Sequence, residues 1–584
     1  MVRRTIIHQH LCGIGSVCIR QIAVSVALVL GLTLSVSPAV SQSPTLLNPS
    51  KISEDTEGLP AVDLQPALPA LSIESANDAP ENAADIRFTL SELRFTSAAA
   101  FPDADLRALW PYQAGDEVSI ADVFTLADAI TNHYRKAGYA LSFALVPAQQ
   151  ITEGIVQIEI VEGFLDEMVI QSPTLSKRTA RHIANSFQTV RDTRPVTSAA
   201  LERFLLLVND LPGIEARGTI SPGTAANSSV LTLEVEQTRL SGAFGYNDYL
   251  SDALGNDILL MNIAAHGQYT GRDTIRLSAS RTPQDEIFHN SAIDYETYLT
   301  DQGLQLFLST SESSTRPQRG TLAATGFESD ALSHSLSVRY PLRRGRLSNL
   351  FIGGEFTISD STSRTAGTTT SEDKTRTAAI YADYDYLTSS QQKLIAKFLL
   401  QAGIDGLGSQ GNSRQFARTD YQLMGIEGQM LQPLWRDVSD NLEAELAFKL
   451  RHMISDSAAL AGVECSFGGP AYGSGFESGS FSAENCALAS LKLRWTHYLT
   501  DSALYTSGLL QFLARLDAGS LRQNGQLVAG EARKQEAASW GVGASLLMDN
   551  GMSVAIERSV QIKNEAEPAR EGKGRINMRL AYEY

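Results

Sequence analysis

Few side chains in this sequence are spaced to do chemistry. The clearest are two cysteines, Cys465 and Cys486, on either side of a glycine-rich stretch. Such thiols could close a disulfide, stay free, or help to bind a metal. A metal site would need two or more further ligands, and no local His or Cys supplies them. Gly406, Gly408 and Gly411 form G-x-G-x-x-G after the apolar run Leu394 to Ile404. That spacing suits a dinucleotide only when a helix begins inside the motif. Here NSRQFARTD follows and leads into an alternating segment, so the glycines read as an exposed loop. No H-E-x-x-H, C-x-x-C, G-x-x-x-x-G-K or G-x-S-x-G occurs, and the histidines beyond the first 41 residues are scattered. The expectation is a protein that is not an enzyme and uses no cofactor or metal.

The elements that must position these residues begin with export. Arg3, Arg4 and Arg20 precede an apolar run from Ile22 to Val36, the length of a signal-peptide core and too short to span a bilayer as a helix. Ala39 and Ser41 offer a cleavage site, so residues 1–41 are expected to be a signal peptide. Cys12 and Cys18 would leave with it, and in an oxidising compartment Cys465 and Cys486 are expected to pair. The remaining chain carries 45 basic against 65 acidic side chains, a charge of -20 that repels nucleic acid. Residues 42–84 are rich in Pro, Ser, Ala and acids without a sustained period, and read as a linker or possible plug segment.

From Asp85 the pattern becomes compact. Phe88, Leu90, Leu93 and Phe95 suggest a strand with one register break, and Asp103 to Trp110 a short helix. Ser119 and Asp122 resemble a capping box, with Val123, Leu126, Ala127, Ile130 and Tyr134 on one helical face and Gly138 as the stop. Strands follow at Ala140 to Val146 and Ile155 to Val161. The same order returns: a strand near Met168, helices over Arg178 to Phe187 and from Thr197, then strands at Glu215 to Ile220 and Val230 to Glu236. Two copies of one small α+β module are expected, at 85–163 and 164–238.

Beyond residue 239 the helical period vanishes, and segments of about ten residues alternate as in a transmembrane barrel. Ile275, Leu277 and Ala279 alternate with Arg276, Ser278 and Ser280; Leu442, Ala444, Leu446, Phe448 and Leu450 alternate with Glu443, Glu445, Ala447, Lys449 and Arg451. Strands are expected to begin near Ser241, Asp257, Asp273, Phe288, Gly303, Ser333, Ser348, Arg376, Gln392, Tyr421, Asn441, Leu488, Ala503, Ala537, Met552 and Lys573. Sixteen is even, as a bacterial barrel requires. Connections after the even strands are short and those after the fifth, seventh, eleventh and thirteenth long, which suits periplasmic turns and external loops. The expected fold is therefore an all-β transmembrane barrel of 16 antiparallel strands at 239–584, preceded by two small α+β domains.

A resemblance now becomes specific. The strings GYALSFALVPAQQITEGIVQIEIVEG (138–163) and LLLVNDLPGIEARGTISPG (205–223) resemble the paired polypeptide-transport-associated (POTRA) domains of the haemolysin secretion/activation family, the ShlB, FhaC or HecB type of outer-membrane transporter used in two-partner secretion. FGGPAYGSGF (467–476) resembles that family's loop-six motif: Gly468, Gly469, Gly475 and Phe476 match, but Ser474 stands where the family places an arginine. The family's arginine reaches an acidic residue inside the lumen, and LDAG (516–519) resembles that partner motif with Asp517. Arg494 or Arg515 facing Asp517, or a local serine hydrogen bond, are the alternatives for what replaces it.

The resemblance implies an outer-membrane location with POTRA domains in the periplasm. Its implied partners are a large secreted protein captured as unfolded polypeptide, outer-membrane lipids, and the barrel assembly machinery that reads the aromatic C-terminus ending in Tyr584. An assembly factor that inserts other barrels is the runner-up, although such factors usually carry more modules. A barrel enzyme would need a Ser/His/acid group, and a simple porin would not need the modules.

Overall fold

The structure, a computed structural model, describes residues 79–96, 99–283, 287–437, 439, 441–499, 507–527, 532–565 and 568–584. The expected signal peptide and the linker up to residue 78 lie outside the described residues, as does the expected strand start at Ala503.

The first module contains β1 (Arg87–Thr89), β2 (Glu92–Thr96), α1 (Asp103–Arg107), β3 (Glu117–Ser119), α2 (Ile120–Lys136), β4 (Phe143–Leu145) and β5 (Ile155–Val161). Helix α2 starts where its cap dictates. The Ser119 amide donates to Asp122 Oδ2 (2.8 Å) while the Asp122 amide donates to Ser119 Oγ (3.2 Å), so two otherwise orphaned donors are satisfied reciprocally. Its Val123, Leu126, Ala127, Ile130 and Tyr134 are buried against Val156, Ile158 and Ile160 of β5. The expected register break at Leu90 is a change of sheet: β1 pairs with β3, whereas β2 runs parallel to β5 in the sheet β2-β5-β4. The strand expected over Ala140 to Val146 contracts to three residues.

The second module repeats the plan with β6 (Phe164–Gln171), α3 (Lys177–Arg191), α4 (Ser198–Asn209), β7 (Ile214–Pro222) and β8 (Ser228–Gln237), sheet order β6-β8-β7. In both sheets the final strand of the module is central, which leaves β2, β4, β6 and β7 on edges.

The remainder closes into a barrel. Its strands are β9 (Leu240–Asn247), β10 (Ile258–His266), β11 (Asp273–Arg281), β12 (Phe288–Tyr298), β13 (Gln305–Thr315), β14 (Phe327–Arg344), β15 (Ser348–Thr365), β16 (Thr368–Leu387), β17 (Lys393–Gly403), β18 (Gln422–Asp437) and β19 (Leu442–Ser455). A hairpin of β20 (Cys465–Phe467) and β21 (Phe481–Ala483) then stands apart, before β22 (Asn485–Leu499), β23 (Gly508–Arg522), β24 (Lys534–Met548), β25 (Met552–Asn564) and β26 (Gly574–Glu583). Every barrel neighbour is antiparallel, and β26 pairs with β9 to close the ring, so no strand edge is left to lipid. Leu277, Ile293, Leu336, Ile380, Phe398, Leu400, Phe512, Trp540 and Ile556 are exposed on the outside. A soluble sandwich would bury such residues in a core; here they form the surface that meets hydrocarbon.

Strands β14 to β16 are 18, 18 and 20 residues long, well beyond the expected ten or so. Ser361↔Asp373 and Thr365↔Thr368 continue the ladder past the apolar zone, and the connection after the seventh strand, expected to be long, is only Ala366 and Gly367. Alternation of apolar with polar side chains marks a strand only where one face meets lipid, so the polar extensions carried no such signal.

The second module sits against the turns at one end of the barrel. Arg344 at the end of β14 donates twice to Asp210 (2.9 and 2.6 Å), the Tyr298 hydroxyl donates to the Asp210 carbonyl (2.6 Å), and Thr179 donates to the Gly271 carbonyl (2.7 Å). Tyr298 itself packs in the module's core with Leu211 and Ile214.

Candidate functional site: the lumen loop and its anchors

The long connection between β19 and β22, loop six, has a fixed base. Cys465 and Cys486 are joined by a disulfide. Arg414, from the preceding external connection, is nearly fully buried between Glu464 (3.2 Å) and Glu484. Both carboxylates have further donors: Ser482 Oγ reaches Glu464 (2.6 Å), and the amides of Ala459 and Asn524 reach Glu484 (3.2 and 3.0 Å). Two buried acids are tolerable with one arginine because main-chain and hydroxyl donors satisfy the remaining lone pairs. Sequence reasoning missed this clamp, whose members are far apart in the chain and match no motif.

Above the base, Phe467, Phe476 and Phe481 pack ring against ring with centroids 5.4 to 6.1 Å apart. The Phe467 ring lies over Gly519 on β23, where a Cβ would stand 2.6 Å from it. Glycine there lets the aromatic cluster press against the barrel wall.

The tip, Ser474 and Gly475, lies across the inner faces of four consecutive strands. The Ser474 amide donates to Asp517 Oδ2 on β23 (3.0 Å), and the Gly475 amide to Ser539 Oγ on β24 (3.3 Å). Gln561 of β25 donates to the Gly475 carbonyl (2.9 Å), and Asn577 of β26 to the Ser474 carbonyl (3.4 Å). A Cβ on Gly475 would lie 2.7 Å from the Ser539 Cβ, so only glycine can come this close.

Proton bookkeeping settles the hydroxyls. Ser559 donates to Glu557 (2.8 Å), so its oxygen accepts from Ser474 Oγ at 2.8 Å, and the longer approach of Ser474 Oγ to Asp517 (3.3 Å) is secondary. The charge on Asp517 is met from its own strand: Arg515 Nη2 donates to Asp517 Oδ1 (2.8 Å), with Glu557 at 3.7 Å. Arg515 Nη1 also donates to the loop carbonyl of Pro470 (3.1 Å). Arg494 instead faces Glu445 (3.4 Å). Of the alternatives left open by the sequence, Arg515 and the serine act together and Arg494 does not take part. Ser539, Ser559 and Gln561 had no individual signal, being ordinary polar residues of inward faces.

Gly406 and Gly408 lie in the connection after β17, and no helix begins among them or at Gly411. Among the described residues no helix is long and apolar enough to cross a membrane.

A closed antiparallel barrel with an apolar exterior, an inward-folded loop and α+β modules at one end defines an outer-membrane β-barrel protein with periplasmic modules. The family model described as haemolysin secretion/activation protein ShlB/FhaC/HecB matches residues 227–546, and one for a ShlB-type POTRA domain matches residues 88–163. The chain belongs to this haemolysin secretion/activation family. Its sequence is 29% identical over 160 residues to the heme/hemopexin transporter protein HuxB of Haemophilus influenzae, covering 27% of this chain and 25% of that protein. The chain thus spans about a quarter of the length of that relative. In fold it is similar to CdiB from Escherichia coli, with a TM-score of 0.70 at 16% identity over 88% of this chain and 93% of that one. CdiB from Acinetobacter baumannii is similar over 97% of both chains, with a TM-score of 0.61 at 14% identity.

Proposed function

We propose that this protein is the outer-membrane translocator of a two-partner secretion system. Residues 85–163 and 164–238 capture one large exported partner as unfolded polypeptide, and the barrel at 239–584 passes it outward in extended form. The observation that carries this reading is the pairing of sheet edges in the modules with a loop folded against the inner wall of the barrel. Strand β7 runs nine residues along a sheet edge with β8 as its one strand partner, in a module seated on the barrel turns; the Asn209 side chain closes the outer edge at Ala216 (2.8 and 3.0 Å), and an added chain would pair beyond it. An extended chain adds to such an edge through main-chain bonds with little demand on sequence. Loop six then acts as the stopper: its base is fixed by the disulfide and by Arg414, and its tip is held without covalent bonds by Ser474, Gly475 and Arg515. Withdrawal of the tip alone opens the path.

Deleting Gly468 to Phe476 tests this. The barrel should still insert, resting conductance should rise, and export of the partner should fall. Normal export by the deletion variant would contradict the stopper role.

A further inference from the structure

The inner wall beside loop six carries more positive charge than its carboxylates use. Three adjacent strands, β19, β22 and β23, present Lys449, Arg451, Lys492, Arg494 and Arg515. The arginines are matched: Arg451 with Glu427 (2.7 Å), Arg494 with Glu445 (3.4 Å), and Arg515 with Asp517 and Glu557. The two lysines have carboxylates only at longer range, Glu557 and Asp517 near Lys492 and Glu427 near Lys449. Among the described residues neither ammonium has a carboxylate within ion-pair distance, although Lys492 stands directly across the ladder from Arg515. Like charges placed opposite each other on one sheet face destabilise it unless something negative comes between them.

The next row of the ladder brings Lys449 opposite Ser490 and Ser490 opposite Asp517. The Ser490 hydroxyl is buried without a hydrogen-bond partner, and so is Arg515 Nε. Two lysines without an ion pair, one hydroxyl and one guanidinium N–H without a hydrogen-bond partner therefore lie on neighbouring rows of three adjacent strands. All lie on the inner face, since Asp517 and Ser539 of the same row touch the Ser474–Gly475 tip.

We propose that Lys449, Lys492, Ser490 and Arg515 form a carboxylate-binding station in the lumen, which holds acidic side chains of the polypeptide in transit. The proposal deepens the translocator reading and rests on it only for the origin of the carboxylate. An extended chain presents alternate side chains to one wall, so successive acids meet the lysines while the backbone continues past. Flexible ammonium groups suit a moving ligand better than a rigid bidentate guanidinium.

The test is binding of a fluorescent hexa-aspartate peptide to the purified full-length protein in detergent. Lys449→Gln with Lys492→Gln should weaken binding about tenfold or more, as loss of charge-assisted contacts implies. A control, Lys136→Gln with Lys177→Gln in the modules, should leave it unchanged. Equal affinity in wild type and the lumen variant, or no binding to wild type, overturns the proposal. Competition by inorganic phosphate at equal concentration would assign the station to small anions and overturn it as well. Heat-modifiable mobility of the lumen variant reports whether its barrel is closed. If deleting the protein left every secreted protein at its parental level while hexa-aspartate binding held, the translocator reading would fall and the anion station would stand.

Discussion

The main-chain amide of Ser474 donates to Asp517 at 3.0 Å, where the resembling family uses an arginine side chain from the loop. The cation has moved to Arg515, two residues before Asp517 on the wall itself. The loop tip therefore carries no charge of its own, and withdrawing it leaves the Arg515–Asp517 pair intact.

This arrangement ranks the anchor mutations. Ser474→Ala removes one neutral hydrogen bond, to Ser559, and should cost about 1 kcal/mol of loop anchoring. Arg515→Gln removes the charge-assisted hydrogen bond to the Pro470 carbonyl and should cost about 1.5–3 kcal/mol of loop anchoring, the Asp517 pair being the same with the tip docked or withdrawn. Single-channel recording should find rare added openings in the first variant and frequent or permanent opening in the second. Equal behaviour would place the anchor elsewhere.

Cys465 and Cys486 close the loop base. On a chain-entropy argument the bond restricts the unfolded loop by about 3 kcal/mol. Alkylation of unreduced protein should label neither cysteine, and replacing both with serine should lower the temperature at which loop six becomes protease-sensitive while sparing the barrel. Labelling of both cysteines before reduction would contradict the pairing.

Capture by strand addition predicts a period of two along β7. Proline removes an N–H and cannot take part in a ladder bond. Introduced singly at Arg217, Gly218 and Thr219, it should alternate between positions that unfold the module, by breaking the ladder to β8, and positions that leave it folded but abolish partner binding. Binding of the partner's N-terminal domain, beside circular dichroism of each variant, separates the two effects. Uniform tolerance would point to side-chain capture instead.

Docking of the second module should weaken in mild acid. Burial, with the Arg272 guanidinium beside it, holds the His182 imidazole below its usual range, although Asp301 at 2.8 Å opposes the shift. A histidine depressed in the docked state resists a proton that the undocked state accepts. Docking is thus fully present above the free value near 6.5 and is lost as pH falls below it. Hydrogen exchange of the Gly267 to Arg272 turn, corrected for intrinsic rate, should be faster at about pH 5.5 than at about pH 7.5. His182→Gln should remove the difference, and an unchanged pH response in that variant would contradict this role.

Much of the barrel was legible because lipid imposes a one-dimensional rule. Ile275 to Ser280 and Leu442 to Arg451 had to alternate, and strands begin at Asp273 and Leu442. The rule lapses at Thr368 to Thr375, where both faces of β16 meet water, and eight residues of strand beyond the expected start at Arg376 went unread. Ser119 and Asp122 announced α2 because a cap is local. The loop-six site was legible only in part, since Asp517 and Ser474 sit in motifs whereas Ser559, Gln561, Arg414 and Glu484 become neighbours only when strands and loops close around them.

The central claim, that this protein exports one dedicated partner, is tested most directly by comparing outer-membrane and secreted proteins of a strain lacking it with those of its parent. The account predicts that one large secreted protein disappears from the medium and is stranded or degraded in the periplasm, while all other barrels assemble at parental levels. A general loss of outer-membrane barrels, with no single secreted protein affected, would contradict it and identify an assembly factor instead.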